Sequence, residues 1–136
     1  MVSKLTTAVG AFMRDKIGRP PRAAPGWPTD QVLLQRMGHL AEELGEIATA
    51  INMRDLPALA DGLGDLVWIA QGLALDAGIP LDKVLEEIAK SNASKAALDP
   101  VSGKGGKGGG FKPPAIVETL MAVGWPGPPL PLGAPE

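Results

Sequence analysis

The feature that most constrains this chain is a group of carboxylates set inside two apolar helical stretches. The group consists of Glu42, Glu43, Glu46, Asp61 and Asp65. A carboxylate moved from water into a protein interior costs several kcal/mol unless something pairs with it. The sequence has no Lys, Arg or His between Asp55 and Asp82, so the two aspartates cannot be neutralised within their own helix. They need protonation, a base from another helix, or a metal ion.

The apolar residues recur with helical spacing along most of the chain. The pattern predicts four main helices, at about residues 4–16, 30–53, 56–77 and 81–97, and a short fifth helix at 115–123. Aromatic residues are only 4% of the composition. That composition favours helix-on-helix packing over a sheet, which would use more aromatic and β-branched residues. We therefore predict an all-α fold, an antiparallel bundle of about four main helices.

The second predicted helix has an apolar seam of the kind that packed helices use. Its members are Leu33, Met37, Leu40, Leu44, Ile47 and Ile51. At about 100° per residue, Glu43 lies roughly 80° from the centre of this seam, Glu46 one step further round, and Glu42 nearly opposite. The third helix is apolar nearly all round, which predicts that it is buried.

The length of 136 residues suits one domain with one core. We assign residues 1–123 to the helical domain, including a Gly/Lys-rich loop at 101–114, and residues 124–136 to a Pro-rich tail. The loop has two interpretations: a flexible connector, or a segment that contacts phosphate.

Net charge and cysteine usage exclude several classes of function. A net charge of −2 gives no reason to expect a nucleic acid polymer or a membrane surface as a partner. With no Cys, the sequence has no disulfide, thiolate nucleophile or Cys-based metal site. The N-terminus lacks a run of signal-peptide type, and we expect a soluble cytoplasmic protein.

The acidic group predicts a site for a hard divalent cation. Oxygen ligands, with no Cys and a single His, indicate Mg²⁺, with Mn²⁺ as an alternative. Mg²⁺ held by a few carboxylates keeps positions for water and phosphate oxygens, so phosphate-ester or anhydride chemistry is the leading reaction class. The competing interpretation is that the glutamates are solvated and the aspartates cap a helix or pair with Arg36 or Arg54.

Three motifs resemble those of the all-α nucleotide pyrophosphohydrolases, the superfamily of MazG-like and phosphoribosyl-ATP pyrophosphohydrolase-like proteins. They are EELGE at residues 42–46, DGLGD at 61–65 and SNASK at 91–95, followed by GKGGKGGGFKPP at 103–114. The likeness covers roughly residues 5–120. It differs at Gly62, where members with an ExxD block have Glu, so Asp61 must supply that carboxylate.

The resemblance implies a helical bundle completed by dimerisation, as a homodimer or higher homo-oligomer, that binds Mg²⁺ and cleaves a nucleotide. By the same resemblance, Glu43, Glu46, Asp61 and Asp65 would be metal ligands. Glu42 and Glu43 would be catalytic, with Glu42 a further ligand or the group that orients the attacking water. Asn92 and Lys95 would contact the nucleotide, and Lys95 with Lys104 or Lys107 would offset charge on the leaving group.

Trp68 lies one turn beyond Asp65 and could stack on a base, although packing in the core is the alternative. His39 could orient a glutamate, although a boundary histidine is the simpler interpretation.

Three functions follow as hypotheses. The first is Mg²⁺-dependent hydrolysis of a (deoxy)nucleoside triphosphate to monophosphate and pyrophosphate, for house-cleaning or control of a nucleotide pool. The second is phosphoribosyl-ATP pyrophosphohydrolase of histidine synthesis. The third is a non-catalytic helical dimer that acts as an interaction module.

Overall fold

The computed structural model describes residues 2–129, 132 and 133. Within that range the chain forms helices and loops, with one isolated bridge and no strand. The helices are α1 (Lys4–Phe12), which continues as a π-helical turn (Met13–Ile17), α2 (Asp30–Met53), α3 (Leu56–Asp76), α4 (Leu81–Ala93) and the short α5 (Ile116–Met121). The prediction of an all-α fold with four main helices is confirmed.

Local capping signals set the beginnings of α2 and α3. Thr29 Oγ1 accepts a hydrogen bond from the N–H of Val32 at 3.3 Å, and Asp55 Oδ1 accepts one from the N–H of Ala58 at 3.0 Å. The predicted end of α4 at about residue 97 is wrong, since the helix ends at Ala93. The chain turns there because the residues that follow pair with the Gly/Lys segment.

The chain divides into two compact units, Met1–Ile79 and Pro80–Glu136. The boundary between a helical domain at 1–123 and a tail at 124–136 remains a prediction. Part of that tail, residues 130, 131 and 134–136, lies outside the described residues.

In the first unit, α2 and α3 pack antiparallel along most of their length. Two glycines of α3 fix the register. Gly62 faces the side chain of Ile47, and Gly72 faces the guanidinium of Arg36. A Cβ built on either glycine would come within 3 Å of these neighbours. At Gly62 that Cβ would also lie 3.7 Å from the backbone nitrogen of Ile47, so the helices approach closely there, whereas Gly72 leaves space for the tip of the Arg36 side chain. This register aligns the acidic part of α2 with the acidic part of α3.

The face of α2 that packs on α3 differs from the predicted seam. The buried and half-buried positions of α2 are Val32, Leu33, Arg36, Leu40, Glu43, Ile47 and Ala50. Met37, Leu44 and Ile51, which the sequence placed in the seam, are 64%, 57% and 50% exposed. The 3–4 spacing of apolar residues fits two adjacent faces of the helix, and α3 covers only one of them.

The prediction that α3 is buried is wrong for the single chain. Leu56, Leu63 and Val67 are exposed, because α2 and α1 cover only part of the circumference of α3. Within the described residues, α3 is the one helix long and apolar enough to cross a membrane by length and composition. Its three aspartates would be costly in lipid, and core helices of soluble bundles pass the same test.

The second unit contains α4, α5 and a hairpin formed by residues 96–106. In the hairpin, the N–H of Ala96 donates to the carbonyl of Gly106 at 2.9 Å, and the N–H of Asp99 donates to that of Lys104 at 2.8 Å. Residues 103–106 of the segment interpreted as a loop are therefore paired with residues 96–99.

The contact at Gly62 gives a prediction about stability. Gly62→Ala should lower the free energy of unfolding by about 1–3 kcal/mol, because its Cβ would lie 2.8 Å from Cγ1 of Ile47. Gly64→Ala on the same helix should raise it by about 0.5–1 kcal/mol, because no atom lies within 4 Å of that Cβ and Ala is the better helix former. Urea unfolding of both variants measures the difference. Equal effects at the two positions would contradict the close approach at Gly62.

Candidate active site

The antiparallel register brings the five predicted acidic residues together. Glu43 occupies the face of α2 that packs on α3, and Asp65 occupies the corresponding turn of α3. Glu46, Glu42 and Asp61 are also close enough to act on the charge of Glu43. The two motifs therefore form one acidic cluster, which we define as Glu42, Glu43, Glu46, Asp61 and Asp65.

Glu43 is the member of the acidic cluster whose environment disfavours a negative charge. Its side chain is half-buried, and its Oε2 atom is inaccessible to solvent and has no hydrogen-bond partner. Desolvation raises the pKa of Glu43 above its ordinary value, and the neighbouring charges of Glu46 and Asp65, then Glu42 and Asp61, raise it further. A buried carboxylate oxygen with no donor is unfavourable, and a cation would relieve it.

Ion pairing does not neutralise the aspartates of the acidic cluster. Arg36, the partner proposed by the competing interpretation, instead donates from Nε to Oδ2 of Asp76 at 2.7 Å. Among the described residues, neither Asp61 nor Asp65 forms an ion pair, and neither does Arg54. The interpretation that bases of the same chain neutralise the aspartates is therefore wrong.

The acidic cluster fits a divalent cation in its chemistry. All its ligand atoms are carboxylate oxygens, which Mg²⁺ and Mn²⁺ prefer. In the described part of the chain, no three of these side chains yet converge as a group that could hold an ion. Glu42, Glu46, Asp61 and Asp65 are exposed and free to change rotamer. Binding of a cation would therefore require a rearrangement of side chains around Glu43.

A cavity of about 540 Å³ adjoins the acidic cluster. It lies between the C-terminal half of α2 and the N-terminal half of α3. The carboxylates of Glu42, Glu46 and Asp61 line it, together with Asp55, Thr49 and Met53. Its size is that of a small-molecule site, and no basic side chain lines it. An anionic ligand would therefore need cations to enter it.

Gly62 replaces the expected glutamate for a geometric reason. Gly62 is buried, and its missing side chain would point at Ile47, so a glutamate there would enter the packed interface of the two helices. Asp61, one position earlier, is exposed and lines the cavity beside Glu46. In this chain, Asp61 is therefore the carboxylate of the DGLGD motif that lines the cavity in place of the expected glutamate.

The aromatic and histidine candidates have simpler environments. Trp68 is half-buried, and its ring meets that of Phe12 edge to face, with centroids 5.7 Å apart. That contact shows that Trp68 packs against α1. Stacking of Trp68 on a base remains a prediction. His39 is exposed on α2, in agreement with a surface histidine.

The remaining predicted residues lie in the second unit. Asn92, Lys95, Lys104 and Lys107 line one cavity of about 530 Å³ beside the hairpin. The structure therefore groups them as a set, and contact with the nucleotide remains a prediction for each.

Sequence reasoning missed the buried ionic network at the other end of the α2–α3 pair. The carboxylate of Asp76 receives hydrogen bonds from Arg36 and from Arg19 Nε and Nη2, the Nε bond being 2.6 Å long. The one available signal was Asp76 itself, an acid at the end of an apolar helix without bases.

The pKa of Glu43 gives a prediction about pH. Because the folded pKa is raised, the folded state holds the proton more tightly, and the resulting stabilisation is lost as pH rises through that pKa. The Tm of the metal-free protein should therefore fall as the pH rises from the ordinary pKa of a glutamate through the raised pKa of Glu43. Glu43→Gln should make this fall smaller. Thermal melts in EDTA at stepped pH measure it, with Glu86→Gln, an exposed site on α4, as control. A pH profile of Glu43→Gln identical to that of the wild type would contradict the assignment.

Comparison with known proteins supports the interpretation of these motifs. The sequence profile described as phosphoribosyl-ATP pyrophosphohydrolase matches residues 9–92, more than half of the chain. The match includes EELGE, DGLGD and the first residues of SNASK. A search of the curated proteins found no match to this chain. The chain thus belongs to the phosphoribosyl-ATP pyrophosphohydrolase family, within the MazG-like all-α NTP pyrophosphohydrolase superfamily.

Proposed function

We propose that this pyrophosphohydrolase cleaves a (deoxy)nucleoside triphosphate to the monophosphate and pyrophosphate, with Mg²⁺ as its cofactor and Mn²⁺ as a substitute. The observation that carries the proposal is the unpartnered Oε2 of Glu43 among four further carboxylates. The family match supports hydrolysis of a nucleotide at a pyrophosphate bond. The reaction uses free nucleotides, and a cytoplasmic location is part of the proposal.

Glu43, Glu46, Asp61 and Asp65 would hold the metal. A Mg²⁺ ion held there would offset phosphate charge and make a water molecule easier to deprotonate. Glu42 is exposed at the edge of the cluster, where its carboxylate can orient the attacking water and accept its proton. The water oxygen bonds to the α-phosphorus, the bond from that phosphorus to the bridging oxygen breaks, and pyrophosphate leaves.

The family description favours phosphoribosyl-ATP as a second candidate substrate. The same cleavage applies to it, since it also carries a triphosphate whose α-phosphorus can be attacked. The acidic cluster contacts phosphates through metal in either case, so it does not separate the two substrates.

A substrate panel tests the function. The full chain is incubated with each ribo- and deoxyribonucleoside triphosphate and with phosphoribosyl-ATP, with Mg²⁺ or Mn²⁺, and both products are measured. We expect monophosphate and pyrophosphate in equal amounts from at least one nucleoside triphosphate. Cleavage of phosphoribosyl-ATP alone would favour the second candidate. No cleavage, together with no Mg²⁺ binding by calorimetry, would favour the non-catalytic interaction module.

We further propose that the active protein is a homodimer. α2 and α3 each present large exposed apolar side chains at helical spacing, namely Leu34, Met37, Leu44 and Ile51 on α2 and Leu56, Leu63 and Val67 on α3. Two antiparallel helices with uncovered apolar faces can pair with a second copy to form a four-helix bundle. Burial of seven such side chains in each copy is a driving force of the size that a stable dimer needs.

Charge introduced into this face should separate the subunits. We expect Leu44→Glu to shift the protein from dimer to monomer by sedimentation velocity, because Leu44 is 57% exposed in the single chain and would be buried in the dimer. Gln35→Glu adds the same charge at an exposed polar position of α2 and should leave the dimer intact. A wild-type protein that sediments as a monomer at all concentrations would contradict the proposal.

A further inference from the structure

The cavity beside the acidic cluster has a second end, which the proposed metal chemistry does not use. All the residues that line this cavity of about 540 Å³ lie between residues 42 and 61, within the first unit. At one end are the cluster carboxylates Glu42, Glu46 and Asp61. The other end, which we call the distal end, is lined by Thr49, Ala50, Met53, Asp55 and Ala58.

Two hydrogen bonds hold Asp55 in place at the distal end. Its N–H donates to the carbonyl of Ala50, and its Oδ1 accepts from the N–H of Ala58, both at 3.0 Å. Arg54, just before it, has a φ of 54°, so the chain reverses directly after α2 and brings Asp55 back to Ala50. The second carboxylate oxygen, Oδ2, has no hydrogen-bond partner within the described part of the chain. Because Asp55 lines the cavity, this oxygen is available to a ligand there.

The polar side chains of the distal end offer acceptors and no positive charge. Thr49 Oγ1 donates its proton to the carbonyl of Gly45 at 3.0 Å, so it offers a ligand its lone pairs. Asp55, as a carboxylate, can only accept. The other residues of the distal end, Ala50, Met53 and Ala58, are apolar. A ligand group that matches this end therefore carries hydrogen-bond donors on an uncharged frame.

The sugar of a nucleotide is the first such group beyond the α-phosphate. Asp55 lies six residues before Asp61, which is about 9 Å along α3 at 1.5 Å per residue. Thr49 lies one turn beyond Glu46 on α2. The distal end is thus within the length of one nucleoside from the proposed metal ligands. A carboxylate that accepts from the 2′-hydroxyl is a recurrent way in which proteins recognise ribose.

We propose that Asp55 is a specificity-determining residue, which accepts a hydrogen bond from the 2′-hydroxyl of ribose and makes the protein prefer ribonucleotides to deoxyribonucleotides. The proposal rests on the proposed function for its choice of a nucleotide, and it narrows the substrate to one class of sugar. Phosphoribosyl-ATP also carries ribose, so the preference applies to both candidate substrates. Because Asp55 is exposed, water replaces a missing hydroxyl, and we expect a preference of about tenfold, below that of a buried site.

Binding of neutral nucleosides to the full chain in EDTA tests the proposal without metal or phosphate. Adenosine, guanosine, cytidine and uridine are each titrated beside their 2′-deoxy forms and followed by chemical shifts in NMR spectra. We expect every ribonucleoside to bind about tenfold more tightly than its 2′-deoxy form.

Two variants with the same chemical change assign this preference to Asp55. Asp55→Asn should reduce the ratio of the two affinities to about one. Its amide oxygen can still cap α3 at Ala58, while its amide nitrogen places a donor where Oδ2 accepts. Asp30→Asn is the matched control, an exposed aspartate in the first turn of α2, and it should keep the wild-type ratio.

Three results would overturn the proposal: no saturable binding of any ribonucleoside, equal binding of both sugars by the wild type, or an unchanged ratio in Asp55→Asn. Affinities that follow the base, and not the sugar, would also overturn it, because the acceptors would then meet amino groups of the base.

The proposed function fails separately from this proposal. A protein that cleaves no nucleotide, yet distinguishes the two sugars and loses the distinction in Asp55→Asn, retains a ribonucleoside site. If nucleotides are cleaved, the ratio of kcat/KM for ATP to that for dATP should fall in Asp55→Asn by the same factor as the ratio of affinities. A kcat/KM ratio unchanged in Asp55→Asn would contradict the role of Asp55 in specificity.

Discussion

Asp65→Asn and Glu46→Gln should each lower kcat/KM for nucleotide hydrolysis by at least about 100-fold, because each removes a charged ligand of the proposed metal site. The same changes should leave the metal-free protein as stable as the wild type or more stable. Each deletes a negative charge that acts on Glu43, whose Oε2 has no partner. Loss of activity with retained or increased Tm is the signature of residues that serve function at the expense of stability.

Steady-state kinetics with saturating Mg²⁺ and thermal melts in EDTA measure the two effects on the same samples. Glu86→Gln, an exposed glutamate of α4, is the control and should match the wild type in both. Full activity in either cluster variant would contradict the metal assignment. Loss of activity with a large fall in Tm would mean that the carboxylates maintain the fold instead.

Asp76→Asn should lower the free energy of unfolding by about 3–5 kcal/mol, the largest effect on stability that we expect from one substitution. The side chain of Asp76 is 1% exposed and receives Arg36 at 2.7 Å and Arg19 at 2.6 Å. Without the charge of Asp76, Arg36 stays buried against Gly72 with no counter-ion. The Nη2 atom of Arg36 already lacks a hydrogen-bond partner. The loss of stability thus comes from burying the guanidinium of Arg36 without a counter-ion.

A double variant separates this cost from the value of the contact itself. Arg36→Met combined with Asp76→Leu should recover most of the loss, because an apolar pair of similar volume requires no desolvation of charge. Arg19 is the comparison within the network: its side chain is 29% exposed, and Arg19→Ala should cost about 1 kcal/mol or less. Urea unfolding compares all three variants. Equal effects of Asp76→Asn and Arg19→Ala on the free energy of unfolding would contradict the larger cost assigned to the buried Arg36–Asp76 pair.

Features that depend on nearby residues could be predicted from the sequence. Asp55 caps α3 and Pro57 follows in its first turn, so the beginning of that helix was predicted correctly. The acidic cluster was also predicted, because unneutralised carboxylates on two consecutive helices indicated a shared cation and the family resemblance implied that these residues act together. The family match then agreed with this interpretation.

Features that depend on register could not be predicted. The apolar pattern of α2 fits two neighbouring faces, and only the contact with α3 shows that Glu43 and Arg36 lie on the covered one. Gly62 looked like a lost ligand in the sequence. In the fold it is the point where Ile47 needs space, which the sequence does not reveal without the alignment of the two helices.

The Gly/Lys segment shows a different limit. Its six glycines between residues 101 and 114 suggested a loop, and composition gives no information on which carbonyls its N–H groups will find. The pairing of residues 96–99 with 103–106 depends on the turn at Asp99, whose side chain organises three donors. Position-specific hydrogen bonds, and not composition, produce the cavity there.

The connector between α1 and α2 caps the end of α3. The N–H of Arg22 donates to the carbonyl of Leu75, and the N–H of Gly26 donates to that of Ala77, both at 2.9 Å. Gly78, with φ of 66°, leaves room for the carbonyl of Ala24, which would lie 2.3 Å from a Cβ at that position. These bonds satisfy carbonyls that the last turn of a helix leaves open.

The α2–α3 pair is therefore not a self-contained module. A chain shortened to begin at residue 29 would keep every carboxylate of the acidic cluster, yet it would lose Arg19 and both backbone donors that close α3. The two acidic helices transplanted alone into another scaffold would lack the same contacts. The contacts that close α3 thus come from residues 19–26, a segment that carries none of the proposed chemistry.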